Sequence, residues 1–492
     1  MQIDYGALAP EIIISAAACV ILVLDLALRG NARVLGNQLA LGAVALAFVF
    51  AVPSLNSPPR VTLGGMFVLD HFAVVMKLIF LVATAFVIWI SIPPMRGHRY
   101  EGEYAFLLLC SLLGCLLMPS SRDLLMLFVS LELVSAPAFV IAGLRKLNPR
   151  SNEAALKFFV FGVISAGIFV YGISLVYGYA GSTNLGAIAN SLTGSGVAQP
   201  KTMLLTGIVF IVAAFGFKVS AVPFHFWAPD TYEGSPTPLA AFLSVASKAA
   251  GFVGLLLILL IGFPGLSDFW GPLVGVIAVV TMTVGNVVAL RQRQLIRLLA
   301  YSSIGHAGYM LIPIALVGPH EGTITGSNAQ LVRSLVIYLA VYAVMNLGAF
   351  AVAIGLSKQY PTLLIRDLAG LGRRAPVAAL ALASFMISLG GIPPFAGWFA
   401  KFAVFIAAIE RGSPLGVVLA VGMVLNSVVS LYYYVGVVRA MYLQPADDEA
   451  AVRFPRPIQA ATVAALVAVV ALGVYPEPFA KLADAARLVL AG

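Results

Sequence analysis

The chain has 492 residues, of which 61% are hydrophobic and 10% charged, and its mean hydropathy is +1.01. Soluble globular chains carry about 25% charged residues, so a soluble enzyme, a disordered chain and a nucleic-acid binder are excluded. The net charge of +9 comes from basic residues spread singly along loops rather than from a dense run. This is the composition of a polytopic membrane protein.

A helix crosses a bilayer with roughly 20 apolar residues. That ruler predicts an all-α chain of fourteen membrane helices, seven of them at about 8–28, 34–53, 67–92, 103–119, 122–144, 154–180 and 202–227. The other seven fall at about 236–262, 271–290, 295–317, 330–356, 376–410, 414–440 and 457–475. Asp4 and Glu11 come first instead of a basic leader, so the first run is expected to stay in the membrane. Cys19, Cys110 and Cys115 lie in apolar runs without metal-ligand or CxxC spacing and read as packing residues. The longest polar connections, near 181–201 and 443–456, are loops. One membrane domain is therefore expected, with helices 1–3 in 1–102, five helices in 103–262, five more in 271–440, and a last loop and helix in 441–492. No Rossmann GxGxxG, Walker loop or haem-ligand pair is present, so redox or nucleotide chemistry is expected in other chains.

Basic residues orient the helices. Seventeen sit in one set of alternate loops, including Arg29, Arg33, Arg145, Arg297, Arg374, Arg453 and Arg456, against seven in the opposite set. The positive-inside rule places the richer side in the cytoplasm, and an even helix count puts both termini on the periplasmic side.

The informative residues are ionisable groups inside the spans. Each costs about 2.5–3.5 kcal/mol on an insertion scale and is by default a functional candidate. They are Glu132 in FVSLELVSAP, Lys157 in AALKFFVFG, Lys218 in AAFGFKVSAVPF, Lys248 in SVASKAAGF and Lys401 in PPFAGWFAKFAVF. Burial weakens a lysine's hold on its proton and a nearby carboxylate restores it, so a lysine with a movable partner can load and release a proton. Lys157 is near its helix start and can also snorkel to the headgroups. Lys77 has no evident partner and reads as structural, as do Asp25 and Glu11 near the ends of helix 1.

Two spans carry proline where a helix should run on. Pro223 follows Lys218, and Gly390, Gly391, Pro393 and Pro394 precede Lys401. Proline removes a backbone donor, and open backbone within a membrane is tolerated only inside protein or beside a wet cavity. Helices 7 and 12 are therefore predicted to be discontinuous. Both breaks read P-F-x-x-W, at 223–227 and 394–398, 171 residues and five helices apart. An odd offset reverses orientation, which predicts two inverted five-helix repeats, helices 4–8 and 9–13, with a site near the midplane. His225 and His306 sit near these elements and titrate close to neutrality by default.

The segments PFHFWAPDTYEGSPTP (223–238), RLLAYSSIGHAGYM (297–310) and GGIPPFAGWFAKF (390–402) resemble the antiporter-like subunits of respiratory complex I. Those subunits are related to the membrane subunits of multi-subunit cation/proton antiporters. The resemblance covers essentially the whole chain. Lysine at 401, where the two larger complex I antiporter-like subunits typically carry a carboxylate, makes it most similar to the subunit N branch. Ala228 and Gly305 depart from the family's usual leucine and alanine.

The resemblance implies a redox-driven proton channel in a bacterial inner membrane. Glu132 would pair with Lys218, Lys248 would be the central relay, and Lys401 would pass the proton onward. His225 and His306 would bridge through water and Lys157 would tune the Glu132 region. It implies no cofactor in this chain, with flavin and Fe–S clusters in partner subunits. The implied partners are a second antiporter-like subunit, small membrane subunits and lipids, with NADH and quinone acting indirectly. Two other readings are a subunit of a Na+/H+ or K+/H+ antiporter, which lysine at 401 disfavours, and a non-pumping scaffold.

Overall fold

In the computed structural model, residues 3–27, 35–193, 200–319, 324, 326–446 and 450–488 are described. Arg29 and Arg33 lie outside them. Among the described residues thirteen helices are long and apolar enough to cross a membrane. The membrane helices begin with α1 (Ala9–Ala27), α2 (Gly36–Ala51), α3 (His71–Met95), α4 (Glu101–Leu117), α5 (Leu124–Ala142) and α6 (Pro149–Ala180). They continue with α7a (Lys201–Val219), α8 (Thr237–Gly262), α9 (Ser267–Ala289), α10 (Leu295–Leu316) and α11 (Gly326–Ser357), and the eight-residue α7b (Trp227–Gly234) between α7a and α8 is too short to span. The last are α12a (Pro376–Gly390), α12b (Ala396–Glu410), α13 (Pro414–Leu443) and α14 (Arg456–Val474). α12a and α12b, at 15 residues each, are shorter than the thirteen candidate spans.

Helix starts follow from capping chemistry. The Asp70 carboxylate accepts from Ala73 N, Asp123 from Leu125 N, Asn148 from Arg150 N and Ser413 from Gly416 N, each satisfying an otherwise orphaned donor. Asn148 and Ser413 are followed by Pro149 and Pro414, whose missing N–H is harmless at a helix start. Two boundaries move from their sequence-based positions for this reason. Helix 3 begins at His71, after the hairpin of β1 (Arg60–Thr62) and β2 (Phe67–Leu69), and helix 6 begins at Pro149.

The bundle has a centre and a rim. Every residue of the most apolar stretch of α8 is buried, and 94% in both α10 and α11, against 22% in α2 and 28% in α14. Helices apolar all round belong in a core, and Lys218, Lys248 and Lys401 are carried by or packed against these central ones.

α7a ends on Ser220 (φ 59°) and α12a on Gly391 (φ 88°), both left-handed. Beyond each, the backbone repeats one pattern at matching positions. Ala221 N donates to Gly216 O and Phe224 N to Ala221 O; likewise Ile392 N donates to Ile387 O and Phe395 N to Ile392 O. The Val222–Pro223 and Pro393–Pro394 peptides are both cis.

Candidate functional site

α8 is not a regular helix where it matters. Leu243–Ser247 forms a π-turn directly before Lys248, a distortion that re-aims the side chain after it and recurs at functional sites. Asn346 of α11 holds this turn by donating to Ser244 Oγ (2.7 Å). Lys248 then reaches α10, where its ammonium donates to Ser303 Oγ (2.5 Å) and Ser303 O (3.0 Å).

One helical turn on from Ser302 and Ser303 stands His306, buried on α10. Its Nδ1 is hydrogen-bonded to Tyr338 Oη of α11 (2.8 Å) and its Nε2 to Tyr434 Oη of α13 (3.1 Å). Tyr434 Oη also meets Ser302 Oγ. Lys401 of α12b, 9% exposed, donates to Gly390 O (2.9 Å) and lies over the Tyr309 ring at 5.2 Å. Tyr309 Oη accepts from Asn286 Nδ2 (2.9 Å), and Asn286 Oδ1 accepts from Tyr433 Oη (2.9 Å). Lys248 and Lys401 thus flank a polar cluster around α10 of hydroxyls, an imidazole and a carboxamide, groups able to donate and accept.

Lys218 is buried on α7a and donates to Ser135 Oγ on α5 (2.8 Å), one turn from Glu132. The Lys218 stem packs on Gly251, one turn from Lys248 on α8, where a side chain would have no room: a Cβ there would meet Lys218 Cγ at 2.9 Å. Glu132 is half-buried, and no ion pair within 4.0 Å joins it to Lys218 among the described residues. The expected Glu132–Lys218 pair is therefore open in this structure, because the ammonium turns to the nearer serine hydroxyl.

Three other candidates are placed differently from expectation. Lys157, 39% exposed, bonds Glu153 and Asp230, each at 2.7 Å. Asp230 in turn bonds Arg297, which also bonds Glu233. Lys157 therefore belongs to a partly exposed charged cluster around Asp230 of α7b rather than to the Glu132 region, since the first turns of α6 reach past the apolar core. Burial pushes the Asp230 carboxyl up, but hydrogen bonds from Lys157 and Arg297 outweigh it and hold it below the usual carboxylate range. His225 is buried against Phe226 with its Nδ1 unpaired, and no hydrogen bond ties it to a lysine. Lys77 has a partner after all: Glu11 of α1 at 2.6 Å, both buried, with the ammonium over the Phe67 ring.

Inspection of charges alone missed Ser135, Ser303, Asn286, Tyr309, Tyr338 and Tyr434. A signal existed for some of them: Ser302, Ser303, His306 and Tyr309 share one face of α10 at helical spacing. Among the described residues no group of three or more His, Cys, Asp or Glu is arranged to hold a metal ion.

Residues 121–426 match the family described as NADH:quinone oxidoreductase/Mrp antiporter, TM. The NADH-quinone oxidoreductase subunit N of Trichlorobacter lovleyi is 39% identical over 449 residues, covering 91% of this chain and 89% of that protein. The subunit N of Methylobacterium nodulans is 40% identical over 487 residues, covering 98% and 97%. A chain of respiratory complex I from Thermus thermophilus with bound Aureothin superposes with a TM-score of 0.80 at 30% identity, covering 96% of this chain and 99% of that one. The chain belongs to the NADH:quinone oxidoreductase/Mrp antiporter transmembrane family, among its NADH-quinone oxidoreductase subunit N members.

Proposed function

We propose that this chain is a proton-translocating membrane subunit of an NADH:quinone oxidoreductase. The observation that carries the reading is the set of buried lysines, Lys218, Lys248 and Lys401, the last two standing on either side of a polar cluster that holds Ser303, Ser302, Tyr434, His306 and Tyr309. Three ammonium groups in the core are costly to keep, and none has a carboxylate within 4.0 Å among the described residues. A scaffold gains nothing from them. A proton path needs them, because loading or emptying one site changes the electrostatic free energy of the next where screening is weak.

In this reading the chain holds no redox centre. Flavin and Fe–S clusters belong to partner subunits, which include a second antiporter-like subunit and small membrane subunits. Charge displacement at the subunit interface changes the Glu132–Lys218 separation, Lys218 hands its effect to Lys248 across Gly251, and Lys401 releases toward the opposite side. His225 and His306 complete the path with water.

Helices 4–8 and 9–13 form two inverted repeats within one membrane domain. The matched backbone turns after Ser220 and Gly391 support that division. Both termini lie on the periplasmic side of an inner membrane, as the excess of basic residues in the alternate loops supports. A cation exchanger of the Mrp type is less favoured, since the second break presents Lys401 where an alkali cation would need carboxylate oxygens.

The test is NADH-driven proton uptake in inverted membrane vesicles carrying Lys218→Ala. Pumping is expected to collapse while flavin and Fe–S content in the purified assembly is unchanged. Undiminished pumping overturns the path. Purification without flavin and Fe–S, with sodium-dependent proton exchange, overturns the energy source.

A further inference from the structure

A crevice of about 600 Å³ opens at one end of the bundle, where the connections between helices 11 and 12 and between helices 13 and 14 meet. It lies apart from the lysine line. Both α12a and α14 start there, and neither has a side-chain cap, so their first backbone N–H groups face this end. Three arginines line it: Arg374, Arg453 and Arg456.

Arg374 is nine-tenths buried, donating from Nε to Ala450 O and from Nη2 to Tyr360 Oη. Arg453 and Arg456 are exposed. Among the described residues no carboxylate lies within 4.0 Å of any of the three. Further down α14 the crevice reaches Thr462, 2% exposed, whose Oγ1 has no hydrogen-bond partner. A buried hydroxyl facing a cavity without a partner points to a polar group that belongs there. Alongside, Phe454 and the exposed Val377 make the wall apolar. The crevice thus sets arginines beside apolar wall, the two chemistries that a phospholipid presents together.

We propose that this crevice binds an anionic phospholipid of the leaflet on the basic side, its phosphate held by Arg453, Arg456 and the start of α14. Arginine suits phosphate through paired N–H donors, and basic pockets between membrane helices on the cytoplasmic side select anionic headgroups. The lipid locks the last helix to α12a, whose other end adjoins Gly390 and Lys401. The proposal is independent of what drives the chain.

The test counts phospholipids retained by the purified assembly, by mass spectrometry, after exchange into phosphatidylcholine nanodiscs and titration with phosphatidylglycerol. Arg453→Gln/Arg456→Gln is expected to retain phosphatidylglycerol at least about threefold less than wild type. Arg453→Lys/Arg456→Lys is expected to retain most of it, and Thr462→Val, nearly isosteric, an intermediate amount. Millimolar inorganic phosphate is expected not to displace the lipid. Equal retention in the glutamine variant overturns the site. Displacement by inorganic phosphate alone makes it a free-anion site and overturns the lipid. Retention appearing only after Asp447→Asn/Asp448→Asn/Glu449→Gln means that the loop's own carboxylates hold the arginines, and the proposal fails.

Discussion

Lys401 donates to the Gly390 carbonyl, 2.9 Å away across the second helix break. The break leaves the last carbonyls of α12a without intrahelical donors, and the lysine satisfies one of them. At the first break Trp227 Nε1 donates to Phe217 O at 2.9 Å, beside Ser220 N at 3.0 Å. An indole can only cap. An ammonium that caps can also leave.

Lys401→Met separates the two roles. It leaves the Gly390 carbonyl without a donor, costing about 1–3 kcal/mol, but removes a buried charge worth about 2.5–3.5 kcal/mol on the insertion scale. The assembly is therefore expected to be about as stable as wild type, while initial pumping in inverted vesicles falls about tenfold or more. Unchanged pumping would take Lys401 out of the path.

Tyr434→Phe deletes the hydroxyl shared by His306 and Ser302. Stability is expected to fall by about 1–3 kcal/mol, because buried partners lose a bond, and pumping to fall severalfold with quinone reduction less affected. Thermal unfolding and the proton-to-electron ratio check the two parts.

The Lys77–Glu11 pair is buried on both sides. Lys77→Met alone strands a carboxylate and is expected to cost about 3–5 kcal/mol, whereas adding Glu11→Gln restores most of it. Normal pumping in the double variant would mark the pair as structural. Pumping lost despite restored stability would make it a second functional site.

Gly397 lets α12b approach α12a: its N–H donates to Ser388 Oγ, and a Cβ would sit 1.8 Å from Ser388 O. Gly397→Ala is expected to destabilise by about 1–3 kcal/mol, as overpacked cores do, and to lower the yield of assembled complex. A yield equal to wild type would mean that the break can widen freely.

Asp230 has its carboxyl held below the usual range. A depressed folded-state value stabilises above the unfolded value and is lost as pH falls through the folded one. The stability gap between wild type and Asp230→Asn is expected to be about 1 kcal/mol, given the cluster's partial exposure. It should persist from neutral pH down to about 4 and shrink only below that. A gap that vanished between pH 6 and 5 would contradict the pairing.

The amino-acid order by itself determined the membrane class and the all-helical fold, and it marked the prolines at which two helices are interrupted. Each is a local property: span length follows from bilayer thickness, and Pro223 or Pro393–Pro394 interrupts the helix whatever surrounds it. It also pointed to Lys218, Lys248 and Lys401, because a charge in an apolar run is visible without knowing its neighbours. Partnership was another matter. That Lys77 faces Glu11, that Lys157 leaves the core for Asp230, and that Lys218 turns to Ser135 instead of Glu132 depend on helix rotation and on contacts between distant segments. The uncharged members of the line, Tyr338 and Tyr434 above all, carry no hydropathy signal that separates them from packing tyrosines. Only the tertiary structure decided that their hydroxyls meet at His306, because hydrogen bonding is set within a few tenths of an ångström and span-level patterning is not.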